Sequence, residues 1–159
     1  RHFEKNELFD FANGRFRKKG VILRLRSIGK NYLLTFKGPL QSSRLHKTRD
    51  EIEMETNGGE SLKEILKKSG LNPIFFYEKH RTLYSLVATK RGTRLGQIAL
   101  DETPFGTFLE LEGEPAWIDR TARKLGFSPK DYIKKSYPTL YDSNTEKLKK
   151  DQIDRLDDR

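Results

Sequence analysis

Apolar and polar residues alternate with a period of two over much of the chain, the pattern of strands that bury one face. In VILRLRS, Val21, Leu23 and Leu25 stand against Ile22, Arg24 and Arg26. YLLTFKG follows IGKN, a short hairpin turn containing Gly and Asn, and sets Lys37 opposite Phe36. RDEIEMET places Arg49, Glu51, Glu53 and Glu55 on one face and Ile52 and Met54 on the other. IFFYEKHRTLYSL reads as one long strand with Tyr77, Lys79 and Arg81 on one side. QIALDE turns through TPFG into TFLELEGEP, which sets Glu110 and Glu112 against Leu109 and Leu111 and brings Asp101 close to both glutamates. A weaker alternation over ELFDFA, Glu7 to Ala12, completes seven strand candidates.

Helical periodicity is confined to fewer places. GESLKEILKKSG predicts a helix with Ser61 as N-cap, Leu62, Ile65 and Leu66 as its apolar stripe and Gly70 at its end. EPAWIDRTARKLGF starts with Pro115 in the first turn and ends at Gly126, with Trp117, Ile118, Ala122 and Leu125 apolar. SPKDYIKKSY repeats the Ser-Pro start at Ser128 and Pro129. Domain 1–141 is expected to be a single unit, and 142–159 a charged tail that is helical or disordered.

Taken as one sheet, these strands collect Arg24, Arg26, Lys37, Arg49, Lys79 and Arg81 on one face, together with Glu51, Glu53, Asp101, Glu110 and Glu112. An antiparallel sheet can keep one wet face, so charge on any single strand is ordinary. The sum is not. The opposite face carries Leu23, Leu25, Leu34, Phe36, Ile52, Met54, Phe76, Leu100, Leu109 and Leu111, expected to lie under the helices. A sheet covered outside and curled with its charges inward closes into an α+β antiparallel barrel with an ionic lumen, wet and holding ligands that balance its charge. Cations on that face suit a string of phosphates. Clustered carboxylates suit hard divalent ions, and Glu110 and Glu112, roughly 7 Å apart along one strand, can share one.

Composition narrows the partners. The 159 residues carry a formal charge of +9, which points to a polyanion: nucleic acid, nucleotide, polyphosphate or an anionic membrane. A basic module that binds RNA explains the charge but not why Glu51, Glu53, Glu110 and Glu112 share faces with the arginines, where they would repel a phosphate backbone. Nucleic acid is therefore not the expected partner. No apolar run is long enough to cross a bilayer and no signal-peptide pattern opens the chain, so a cytoplasmic protein is expected. With no cysteine, disulfides, thiolate zinc sites and cysteine nucleophiles are excluded. His2, His46 and His80 lack metal-ligand spacing, and no phosphate-cradling Walker loop occurs.

The segments GVILRLRS, NYLLTFKGP, RDEIEMET, FYEKHRTLY, IALDETPFGTFLELEG and RKLGF, in that order from about Leu8 to Phe127, resemble the CYTH family, which groups class IV adenylate cyclases with thiamine triphosphatases. The resemblance implies an eight-stranded antiparallel tunnel whose basic residues hold a triphosphate and whose acidic residues hold Mg2+ or Mn2+. By motif, Arg24, Arg26, Lys37, Lys79 and Arg81 look like phosphate ligands, with Arg49 beside them, and Lys37 and Arg81 are the pair assigned to catalysis. Glu110 and Glu112 look like metal ligands, assisted by Asp101, Glu51 and Glu53. The family's opening Glu-x-Glu-x-Lys strand has no counterpart, so the resemblance implies an N-terminally incomplete domain. The activity implied is hydrolysis of an organic or inorganic triphosphate. Cyclisation of ATP to cyclic AMP and a non-catalytic module binding polyphosphate or RNA are the alternatives.

Overall fold

A computed structural model of the chain describes residues 1–41, 49–87, 94–133 and 135–142. Seven strands form one antiparallel sheet: β1 (His2–Phe11), β2 (Ile22–Ile28), β3 (Asn31–Lys37), β4 (Glu51–Thr56), β5 (Leu71–Val87), β6 (Arg94–Thr103) and β7 (Gly106–Gly113), in the order β4-β3-β2-β1-β5-β6-β7. The alternating segments all fall on strands. Both predicted hairpins form, with Ile28 opposite Asn31 and Thr103 opposite Gly106. Gly29 supplies the left-handed conformation (φ 59°) that the first tight turn requires.

The sheet curls into a half-barrel. The long strand β5 produces much of this stagger, since its first part pairs with β1 and its last part with β6. The expected closure is not made by these seven strands: β4 and β7 are the two edges, unpaired with each other among the described residues.

The weak ELFDFA candidate is the largest revision. It extends from His2 to Phe11 and occupies the middle of the sheet, between β2 and β5. Its register with β5 slips between Leu8 and Phe9. Beyond that bulge the buried Asp10 accepts backbone N–H groups of Phe11, Phe16 and Arg17 at 2.7, 2.8 and 3.0 Å, and so anchors the short helix α1 (Arg15–Lys18).

The outer face is covered only in part. Phe9, Leu23, Leu25, Leu66 and Leu71 form a buried cluster under α1 and α2 (Gly59–Lys68). Helix α3 (Pro115–Lys124) buries Trp117 and Ala122 against β6 and β7. Glycine permits these close approaches: a Cβ on Gly59 would lie 2.1 Å from the Tyr32 ring, and one on Gly96 2.6 Å from Trp117. Ile52 stays 68% exposed, and Met54, Phe76 and Leu109 are also exposed, contrary to the expectation that helices cover that face. A ten-residue helix is about 15 Å long and spans roughly three strands, so two of them cannot roof seven.

The helices differ from expectation in detail. Gly58, not Ser61, is the N-cap of α2, and Ile65 and Leu125 face solvent. SPKDYIKKSY gives a single 3-10 turn, Pro129–Asp131, with Ser128 and Asp131 forming a capping box. A short helical stretch, 137–142, follows. His46 and the tail beyond 142 lie outside the described residues.

Candidate active site on the concave face

Strand pairing sets the site. Across the middle of the sheet Arg26 faces Asn6, Asn6 faces Tyr77, and Glu4 faces Lys79. On one flank Arg24 lies opposite Thr35 and Thr35 opposite Glu53, while Lys37 lies opposite Glu51. On the other flank Arg81 lies opposite Asp101, and Glu110 opposite Ala99. Period-two geometry puts all of these on one face.

Two carboxylates with no solvent exposure organise the cations. Asp101 accepts from Lys79 Nζ at 2.6 Å, from Arg81 Nε and Nη2 at 2.6 Å each, and from the Tyr137 hydroxyl at 2.5 Å. Glu4 accepts from Asn6 at 3.2 Å and pairs with Lys79 at 3.3 Å, Arg26 at 3.4 Å and His2 at 3.3 Å. Arg81 Nη2 also reaches Glu110 at 2.5 Å. Burial of these charges is tolerable because each finds opposite charge with directed hydrogen bonds.

These contacts move the titrations. Burial alone would raise the Asp101 carboxyl, but hydrogen bonds from Arg81, Lys79 and Tyr137 and the Lys79 charge outweigh it and hold the group at about 2. Glu4 is lowered in the same way: burial opposes, and Arg26, Lys79 and Arg81 prevail. Burial pushes the Lys79 ammonium down, with the Glu110 charge resisting. The carboxyl group in an unfolded chain titrates near 3.8, so Asp101 contributes stability that is complete above that value and lost as pH falls toward 2. Titration of Asp101 should therefore remove about 2 kcal/mol between those limits, and the acid loss should be smaller by roughly that amount in Asp101→Asn, with the part due to Glu4 retained, when unfolding is followed in urea at pH 4 and pH 2.5.

The flank with β3 and β4 is more open. Arg24 Nη2 donates to Thr35 at 3.2 Å, whose hydroxyl donates to Glu53 at 2.9 Å; Lys37 pairs with Glu51 at 2.7 Å. Arg24 Nε and Arg49 Nη1 are buried without a hydrogen-bond partner. An orphaned guanidinium N–H carries a desolvation cost that an incoming anion would remove.

The predicted cations Arg24, Arg26, Lys79 and Arg81 thus come together across β2, β1 and β5, with Lys37 at one side and Arg49 just before β4. The carboxylates do not converge on one point. Glu51 and Glu53 lie on one edge strand and Glu110 and Glu112 on the other, and among the described residues no three acidic or histidine side chains form a metal cluster. Sequence reasoning missed Glu4, Asn6, Thr35 and Tyr137. Along β1 the outer positions Lys5 and Glu7 are as polar as the inner ones, which hides the alternation of Glu4 and Asn6.

The sequence model of the CYTH domain matches residues 2–137. The chain belongs to the CYTH family. A Methanocaldococcus jannaschii protein named as a provisional adenylate cyclase is 28% identical over 149 residues, covering 87% of this chain and 81% of its own length. A solved Pyrococcus horikoshii protein shares the fold at a TM-score of 0.72 with 22% identity, covering 87% of this chain and 82% of the other. A Hippeastrum protein, described as a provisional adenylyl cyclase with a dominant triphosphatase activity, matches at a TM-score of 0.68 and 20% identity over 89% of this chain and 82% of the other. The CYTH assignment thus confirms the family expected from the motifs, and together with the cyclase name of the archaeal relative it supports an enzyme at the level of the family. No helix among the described residues is long and apolar enough to cross a membrane.

Proposed function

We propose that this CYTH chain is a metal-dependent phosphohydrolase acting on an organic or inorganic triphosphate, held on the concave face. The observation that carries this reading is the group of cations drawn from separate strands onto one face, with Arg24 Nε buried and lacking a partner. Arg24, Arg26, Lys37, Lys79 and Arg81 neutralise the phosphate chain, with Arg49 contributing at the β4 side. Glu4 and Asp101 orient these cations, and for Asp101 this role replaces metal binding, because its oxygens already accept four hydrogen bonds.

The donor set fits a divalent ion that travels with the substrate. Mg2+ is typically held by one or two carboxylates together with phosphate oxygens, and each sheet edge offers such a pair: Glu110 with Glu112, and Glu51 with Glu53. Bound there, Mg2+ or Mn2+ would neutralise phosphate charge. The chain's own residues fix the terminal phosphate for attack by water; the bond from phosphorus to the bridging oxygen breaks, and Lys37 and Arg81 stabilise the charge developing on the oxygens. The cytoplasm, where nucleoside triphosphates are abundant, suits this activity.

The cyclase name of the archaeal relative favours a second reading, in which the ribose 3′-hydroxyl attacks the α-phosphate of ATP and pyrophosphate leaves. A panel of ATP, thiamine triphosphate and inorganic triphosphate with Mg2+ or Mn2+ separates the two. Orthophosphate release is expected, and cyclic AMP as the main product would overturn the hydrolytic reading. Arg26→Ala should leave the fold intact and weaken triphosphate binding by about 1–3 kcal/mol, the scale of a lost charge-assisted contact. Unchanged affinity in a calorimetric titration would remove Arg26 from the site.

A further inference from the structure

Tyr137 touches both the anionic and the cationic parts of the charged network. It belongs to the helical stretch 137–142, which is far from the site residues in sequence yet reaches the concave face. Its hydroxyl donates to Asp101 Oδ2 at 2.5 Å, the same oxygen that receives Lys79 Nζ and Arg81 Nη2 at 2.6 Å each. Its ring lies against Lys79, with Nζ 4.8 Å from the centroid. Aromatic neighbours fix that ring: Tyr77 at 5.2 Å, Phe108 at 5.5 Å and Phe105 at 5.8 Å between centroids.

We propose that Tyr137 is a positioning residue for the triphosphate site, setting Lys79 and Arg81 through its hydrogen bond to Asp101 and through the face of its ring. The inference rests on the triphosphate reading above. Three donors share one carboxylate oxygen, so the hydroxyl competes with both cations for it. Without that competitor Asp101 draws Lys79 and Arg81 more tightly to itself and away from phosphate. The ring adds an attractive neighbour to Lys79 beside Glu4 and Asp101. Burial and the charges of Glu110 and Asp101 push the titration of this hydroxyl up.

The test is calorimetric titration of inorganic triphosphate, without metal, into the full chain and into Tyr137→Phe and Tyr137→Leu. Tyr137→Phe keeps the ring and its aromatic contacts and removes only the hydrogen bond. It is expected to weaken affinity roughly fivefold, the scale of one net hydrogen bond, while thermal unfolding stays close to wild type. Tyr137→Leu, which also loses the ring over Lys79, is expected to weaken it by about 20-fold. A purely packing role would let phenylalanine restore wild-type affinity, and that result would overturn the proposal even if the leucine variant failed to fold. Failure of the wild-type chain to bind triphosphate would instead overturn the functional reading, and this inference with it.

Discussion

Asp101→Ala is expected to lower the free energy of unfolding by about 3–5 kcal/mol, the cost of breaking a buried ion pair from one side. The substitution leaves Lys79 and Arg81, 2% and 5% exposed, without the carboxylate that neutralises both. It also strips the Tyr137 hydroxyl of its acceptor. Glu4 still faces Lys79 and Glu110 still faces Arg81, which places the loss toward the lower end of that range. Asp101→Asn should cost less, since an amide oxygen keeps part of the hydrogen bonding while the charge is gone. Urea unfolding at neutral pH measures both variants. A loss below about 1 kcal/mol for the alanine variant would show that the cations relax into solvent and are not held by Asp101.

The double variant Glu110→Gln with Glu112→Gln is expected to reduce metal-dependent turnover on the order of 10²- to 10³-fold, in line with removal of an electrostatic element aimed at developing charge. Triphosphate binding without metal should stay within about threefold of wild type or tighten, because two negative charges leave a site that attracts an anion. The two readouts move in opposite directions only if these glutamates act through the metal. Arg81 loses one charged partner in this variant but keeps Asp101, so the fold should persist. Equal loss of turnover and of metal-free binding would reassign the pair to structural support of Arg81.

The sheet was legible because strand periodicity is local. Arg24 and Arg26 against Leu23 and Leu25, or Glu110 and Glu112 against Leu109 and Leu111, declare their faces within seven residues or fewer. Collecting those faces onto one surface anticipated the grouping of Arg24, Arg26, Lys79 and Arg81. β1 was under-read because Lys5 and Glu7 make its outer side as polar as its inner side, and a central strand flanked on both edges needs less amphipathicity to hold its place. Tyr137 could not be found by any period: it meets Asp101 from 36 positions away, in a short helical stretch beyond the 3-10 turn. The exposed Ile52 and Met54 mark the opposite failure, where an apolar face is plain in the sequence but helix length limits what is covered.

If the concave cations receive phosphate, their arginine Nε–H resonances will respond as inorganic triphosphate is added to the full chain. Arg24, whose buried Nε has no partner, and Arg26 beside it should shift and saturate with the calorimetric isotherm, while the exposed Arg15, Arg17 and Arg123 stay unmoved. Shifts confined to those exposed arginines, with Arg24 and Arg26 unchanged at saturation, would contradict it.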